Sequence, residues 1–442
     1  MVLSSRVGRV LATVASVVIA ALGTAATAGA AEKAIWGPAQ LPDGSSAFAL
    51  YRELGVDTLQ MAIVWSDIAP VRPASPRDPA DPAYRWPAQV AAEVAGAHNA
   101  GLRVAMLVTG TPNWANGGRG PLRVPDNRRD FADFMTAAAR RYPSVHRWMI
   151  WGEPNRDDRF LPNVKRDPVG PRAYATLLDA AYGALKQRSA SNKVIGGMTW
   201  TGGTVNPRDF VRWMRLPNGK PPRLDWFGHN PFPFRFPSLA ARPVGGFRDI
   251  SDLDRFSREI RLAYGRRVPL WLSEYTIQSE RGSDLFATFV SEPDQARYVT
   301  AGYRIADELG RRATGLGWLS LIDEPPTPTS ANIGLMTYGL RRKPSYAAFA
   351  RAPSARFAPT VSVRRLAGSA ELSLKVVLRP RLAGLMRVAL RRGTRVVDHV
   401  RALGRIGVAR TVRLHARRTG ALYTVVVSTA RGATVRKRLR LR

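Results

Sequence analysis

Short apolar runs alternate along the chain with longer stretches whose apolar positions recur at helical spacing. Residues 34–36 read as a first strand, and 45–54 as a helix with a serine start. Residues 58–64 read as strand two, 88–100 as a helix closed by Gly101, and 103–108 as strand three. A helix over 130–141 precedes strand four, which ends in His146-Arg147-Trp148-Met149-Ile150. The pattern continues with a helix at 172–188, strand five at 194–198, a short helix at 208–214 and strand six at 224–228. A helix at 252–264, strand seven from Pro269, a helix at 294–309, strand eight at 315–321 and a last helix at 345–350 complete it. Eight such alternations with parallel-type crossovers predict a closed (β/α)8 TIM barrel over 31–353.

Beyond Pro353 the period drops to two. Residues 360–364, 371–378, 385–390, 394–399, 409–414 and 422–428 read as short strands separated by Gly-containing turns. Apolar residues alternate with arginine, as in Leu439-Arg440-Leu441-Arg442. A half-buried antiparallel sheet has that signature, so 354–442 is expected to form a small, basic, all-β sandwich-like domain.

Residues 1–30 have a different character. Arg6 and Arg9 precede an apolar run at 10–22, and Ala28-Gly29-Ala30 fits a small-x-small cleavage site. This predicts a signal peptide, a mature chain starting near Ala31, and a secreted or cell-wall-associated protein with no membrane span left after cleavage.

Composition narrows the chemistry. The 442 residues contain no cysteine, which excludes disulfides, thiolate metal sites and thiol nucleophiles. The five histidines form no pair at ligand spacing, so no metal site is expected. The net charge is +34, and residues 354–442 hold 22 Lys and Arg against only Glu371 and Asp398. An exported chain without a nucleic-acid motif points away from nucleic acid and toward an anionic cell-surface polymer or acidic polysaccharide, through Coulomb attraction.

Two carboxylates stand out against this background. Trp151-Gly152-Glu153-Pro154-Asn155 follows strand four directly, and Pro269-Leu270-Trp271-Leu272-Ser273-Glu274-Tyr275 ends strand seven on a glutamate. A barrel builds its site at the C-terminal ends of its strands, so Glu153 and Glu274 can face one another there. Two carboxyl groups about 5–5.5 Å apart, one protonated and one ionised, are what glycosidic cleavage with retention requires. Trp65, Trp114, Trp151, Trp318 and Tyr275 lie at strand ends, where aromatic faces can stack on sugars. Glu280, Asp157, Asp158, Asp323 and Glu324 are rival carboxylates on polar loops.

The barrel resembles clan A of the glycoside hydrolases, families 5 and 39 especially. Those enzymes carry an Asn-Glu-Pro acid/base motif after strand four and a glutamate nucleophile after strand seven; Gly152-Glu153-Pro154-Asn155 and Ser273-Glu274-Tyr275 match these places. Thr111-Pro112-Asn113-Trp114 resembles the loop after strand three, and His229-Asn230-Pro231-Phe232 the His-containing segment after strand six. Trp318 resembles the sugar-platform tryptophan, and the segment from Lys343-Pro344 to Phe349 the closing helix. The resemblance implies a retaining hydrolase of β-linked glycosides that needs no cofactor. Its catalytic residues would be Glu153 and Glu274, with Asn155, Trp114, His229, Tyr275 and Trp318 binding a polysaccharide or glycoside substrate. Three positions depart from the family pattern: Gly152 replaces an Asn that contacts the sugar 2-hydroxyl, Phe232 a Tyr, and Gln60 an Arg near the nucleophile. Asn155 or Asn113 would then read the 2-hydroxyl. The alternative is a catalytically weak or inactive barrel that acts as a carbohydrate-binding or cell-wall-associated protein.

Overall fold

The computed structural model describes residues 31–353 apart from 285 and 287, and in the C-terminal region residues 360–365, 372–379, 384–404, 409–416, 422–429 and 434–440. The leader expected at 1–30 lies outside the described residues. Eight parallel strands close into a barrel: β1 (Glu32–Trp36), β2 (Thr58–Val64), β3 (Arg103–Thr109), β4 (Arg147–Ile150), β5 (Lys193–Trp200), β6 (Trp226–Asn230), β7 (Leu270–Tyr275) and β8 (Ala313–Leu319). Strand β8 pairs with β1, with Ala34 opposite Gly317. The helices are α1 (Phe48–Leu54), α2 (Trp65–Ile68), α3 (Ala88–Asn99), α4 (Arg128–Arg141), α5 (Val169–Arg188), α6 (Pro207–Trp213), α7 (Leu253–Tyr264), α8 (Glu292–Leu309) and α9 (Pro344–Arg351). Among the described residues, no helix is long and apolar enough to cross a membrane.

The strands are apolar on both faces because both faces are covered. Val104, Met106 and Val108 of β3 join the core between strands and helices, while Ala105 and Leu107 between them pack inside the barrel. The helices answer with one apolar stripe each: α7 buries Leu253, Phe256, Ser257 and Ile260, at helical spacing. Inside the barrel, Trp271 stacks on Trp226 with ring centroids 5.6 Å apart. Glycine is required opposite it, since a Cβ at Gly315 would lie 2.4 Å from the Trp271 ring. The Lys343-Pro344 segment closes the barrel: Pro344 starts α9, Ser345 Oγ donates to Gln295 Oε1 of α8 at 2.7 Å, and Phe349 is buried.

Two strands run differently from the apolar pattern. Strand β6 extends through the polar pair His229-Asn230, which continues the ladder opposite Thr199 and Trp200 of β5. An apolar run does not mark it because both polar side chains find partners inside the protein. Strand β8 starts and ends two residues earlier than the sequence pattern suggests.

The C-terminal strands are β9 (Thr360–Arg365), β10 (Leu372–Arg379), β11 (Gly384–Arg392), β12 (Arg395–Gly404), β13 (Arg410–Ala416), β14 (Leu422–Thr429) and β15 (Thr434–Arg440). They form two antiparallel sheets in the orders β13-β10-β9 and β12-β11-β14-β15. Leu374, Val376 and Leu414 of one sheet share a core with Val388, Val425 and Val427 of the other, as in a β-sandwich. The alternate positions, Arg387, Arg413 and Arg436 among them, are exposed.

Gln60 braces the barrel directly below the mouth. Its Nε2 donates to the Ser273 carbonyl at 2.8 Å, and its Oε1 accepts from Trp271 Nε1 at 3.1 Å. Gln60→Leu keeps the volume but leaves the buried indole N–H without an acceptor. Denaturant unfolding is expected to show a loss of about 1–3 kcal/mol; a change below about 0.5 kcal/mol would mean that the brace carries no load.

Candidate active site

Glu153 is held by an unusual backbone. Trp151 and Glu153 have positive φ angles of 62° and 48°. Left-handed conformations cost non-glycine residues about 1–3 kcal/mol, so the surroundings must impose them. Tyr174 of α5 donates to the Ile150 carbonyl at 2.6 Å and accepts from Gly197 N at 2.9 Å, clamping the end of β4 to β5. Strand β5 bulges there, with register lost between Gly196 and Thr199, and the Met198 carbonyl accepts from Glu153 N at 3.0 Å. Two buried asparagines fix the following loop. Asn155 Nδ2 reaches the carbonyls of Gly202 at 2.6 Å and Val205 at 3.1 Å, while its Oδ1 accepts from Trp200 N at 2.8 Å. Asn163 Nδ2 donates to the carbonyls of Pro154, Arg156 and Phe160.

Glu274 is aimed by a bulge of its own. Leu272 pairs with Leu316 and Tyr275 with Trp318, so β7 contains one residue more than β8 over this stretch. Ser273 faces the barrel interior, where its carbonyl accepts from Gln60 and from Trp36 Nε1 at 3.1 Å. Tyr275 turns outward and donates to the Tyr298 carbonyl at 2.7 Å. The extra residue leaves Glu274 lining the mouth.

Both glutamates line one cavity of about 720 Å³. Its walls are largely apolar, with Leu107, Leu122, Trp200, Phe232, Phe234 and Phe286 prominent. Arg156, Arg159 and Asp284 supply the remaining charge. Arg156 Nη1 lies 2.9 Å from Glu153 Oε2, and Asn230 Nδ2 donates to Glu153 Oε1 at 3.1 Å. The Asn230 side chain also favours the ionised form of Glu274, and its Oδ1 has no protein donor among the described residues. Burial pushes both carboxyls upward. Glu274 rises to about 8, first through burial and then through the charge of Glu153, with the two arginines opposing. Glu153 rises against the direct pull of Arg156 and Asn230. The Arg156 guanidinium and the Asn230 amide favour charge on Glu153, and the two buried carboxyls oppose being ionised together.

The other residues singled out from the sequence are packed elsewhere. Asn155 is fully buried in its backbone cradle. Trp114 donates to the Ala69 carbonyl at 2.8 Å and packs edge-on against buried Trp65. His229 lies inside β6 facing α7, where Nε2 donates to the Arg248 carbonyl at 2.7 Å and Nδ1 accepts from Thr199. Burial lowers its pKa to about 4 and keeps the ring neutral. Tyr275 and Trp318 pack edge-on on the outer side of the strands, and Trp318 donates to the Ile333 carbonyl. Neighbouring strand residues face opposite sides, so Leu319 lines the cavity where Trp318 does not. Trp151 is buried against Phe160. Gly152 and Phe232 do line the cavity, whereas Asn113 does not. Of the rival carboxylates, Asp158 pairs with Arg156 and Asp323 with buried Lys343. Asn230, Arg156, Arg159 and Trp200 belong to the site without having been singled out; two arginines within six residues of Glu153 were the available signal. Among the described residues, no group of three His, Asp or Glu could hold a metal.

No protein-family model and no curated protein matches this sequence. Solved structures do match. A family 39 glycoside hydrolase from Bacteroides cellulosilyticus is similar with a TM-score of 0.55 at 15% identity, over 92% of this chain and 81% of that one. A monomeric β-xylosidase from Caulobacter crescentus aligns with a TM-score of 0.51 at 14% identity, over 94% and 98% of the two chains. A family 39 β-xylosidase from the same organism gives 0.50 at 17% identity with the same coverage. At these identities the likeness is one of fold, a barrel followed by β sheets.

Asn155→Ala removes the hydrogen bonds that tie its loop to Trp200, Gly202 and Val205. Its cost is expected to be about 2–4 kcal/mol in unfolding free energy. A residue that contacted substrate instead would raise KM and leave stability within about 0.5 kcal/mol.

Proposed function

We propose that the protein is a secreted retaining glycoside hydrolase that cleaves β-linked O-glycosidic bonds. The observation that carries this reading is the pair Glu153 and Glu274, which strand bulges bring to one apolar-walled cavity. In the first step Glu153 protonates the leaving oxygen while the Glu274 carboxylate attacks the anomeric carbon, giving an alcohol and a glycosyl ester on Glu274. In the second, Glu153 takes a proton from water, the resulting hydroxide displaces Glu274, and the sugar leaves with its configuration retained. Asn230, buried behind the cavity wall, donates to Glu153 and favours the ionised form of Glu274, so it steadies both carboxyls. Trp200 and Phe232 offer apolar faces for the sugar ring.

Glu274→Ala and Glu153→Ala test the assignment on a panel of aryl β-glycosides. Loss of the acid should cost about 10²–10⁴-fold on substrates with poor leaving groups and much less on activated ones. Equal losses on both would count against Glu153 as the acid. The pH profile has a defined alkaline limb: above about 8 the pair loses its last proton and no acid remains, so kcat/KM should fall there. A folded-state carboxyl pKa above the unfolded one also means that stability declines as pH rises from about 4.5 through 8.

A second reading, a sugar-binding wall protein without turnover, is favoured by one observation: Arg156 sits on the carboxyl that has to donate the proton. It predicts sugar affinity in both alanine variants and no release of reducing sugar.

Export of the chain and attachment of its basic sandwich to an anionic cell-surface polymer complete the proposal. The exposed arginines of β11, β13 and β15 support attachment. Screening acts over about 8 Å at physiological salt, so full-length protein should bind wall material at low salt and release it at high salt. A chain ending at Pro353 should bind weakly at either; equal retention of the two at low salt would remove the attachment role.

A further inference from the structure

We infer that the cavity takes an acidic sugar, whose carboxylate is held by Arg159 and Arg156 and, by drawing Arg156 off Glu153, frees that glutamate to act as the proton donor. The inference rests on the hydrolase reading above and names its substrate class.

The loop after β4 holds these two arginines firmly by the backbone. The Arg159 carbonyl accepts from Trp151 Nε1 at 2.8 Å, and Asn163 Nδ2 holds the carbonyls of Arg156 and Phe160 at 3.0 and 2.8 Å. The side chains differ in their employment. Arg156 spans Glu153 and Asp158 and lies 5.0 Å over the ring of Trp200. Arg159 lines the cavity, is exposed, and makes no ion pair among the described residues. Asp284, the third carboxylate of the cavity, is exposed and pairs with neither arginine. A guanidinium fixed at its backbone, left open at its head and set against apolar walls is a receptor for a planar anion, which it can bind through two parallel N–H donors.

The position of Arg156 gives a reason why that anion belongs to the substrate. Arg156 at 2.9 Å from Glu153 favours the charged form of that glutamate, the opposite of what a proton donor needs. A neutral sugar brings nothing to compete for Arg156. A sugar carboxylate does. Once Arg156 turns to it, the proton of the pair is favoured on Glu153; Glu274 becomes the carboxylate nucleophile and Glu153 the acid. The number of protons in the site is unchanged, and no co-reactant is needed.

The test compares 4-nitrophenyl β-D-glucuronide with the glucoside, and the galacturonide with the galactoside. For at least one pair, kcat/KM should favour the uronide by about tenfold or more, and Arg159→Met should shrink that preference by about tenfold. Arg156→Met should move the two classes in opposite directions, raising kcat on the neutral glycoside and lowering kcat/KM on the uronide. Neutral glycosides preferred in both pairs, an unchanged preference in Arg159→Met, or parallel losses in Arg156→Met would overturn the inference. If none of the four substrates is turned over, the hydrolase reading fails on these sugars while the binding claim is still decided. Tryptophan fluorescence titrations with free D-glucuronate, D-galacturonate and the neutral sugars at low salt should then show uronate binding that Arg159→Met abolishes, and no preference for a uronate would reject it.

Discussion

Two carboxyl groups in one apolar cavity cannot both be ionised without strong repulsion, and much of the barrel mouth is built around that constraint. One proton must stay, and the neighbours decide where. Arg156 and Asn230 lie against Glu153 and favour its charge, while burial and the field of Glu153 oppose the charge of Glu274 more than the arginines and Asn230 relieve it.

Such an arrangement needs rigid support, because the ordering of two carboxyl pKa values depends on sub-ångström distances to donors and cations. The support is made of buried polar groups that reach backbone atoms. Tyr174 ties the end of β4 to the bulge in β5, Asn155 and Asn163 hold the loop that carries both arginines, and Gln60 with Trp36 fixes the carbonyl immediately before Glu274. Each satisfies a main-chain group that would be costly to leave buried and unpaired, and all but those of Asn163 join segments distant in the chain. The left-handed residues Trp151 and Glu153 persist because these contacts over-determine the turn.

The cavity also gives a physical meaning to the positions where the chain departs from the family pattern it resembles. Gly152 faces the cavity with room for a side chain, since an added Cβ would touch only Leu107 at 3.5 Å. Asn230 at the end of β6 is buried and spends its amide on Glu153. Gln60 has no part in charge stabilisation; it is a neutral brace between β2 and β7. Positive charge at the mouth comes from the loop after β4, where Arg156 and Arg159 act on both carboxyls.

The sequence by itself determined the eight-stranded barrel, the antiparallel sheets after it, and the two glutamates, because strand and helix periods and the ends of apolar runs are local properties of the chain. It did not determine which side chains reach the cavity. Trp318 and Tyr275 sit next to residues that do, yet face outward; a bulge between Leu272 and Tyr275 and the alternation along β8 reverse the expected direction. His229 and Asn155 look like ligands of a substrate, but His229 is taken up by the Arg248 carbonyl and the Thr199 hydroxyl, and Asn155 by backbone groups of Trp200, Gly202 and Val205. The pairing of Arg156 with Glu153, and the openness of Arg159 beside it, exist only once the loop after β4 is folded against β5 and β6. Register, bulges and charge neighbours are set by contacts between distant segments, and those are the quantities a linear pattern of residues does not contain.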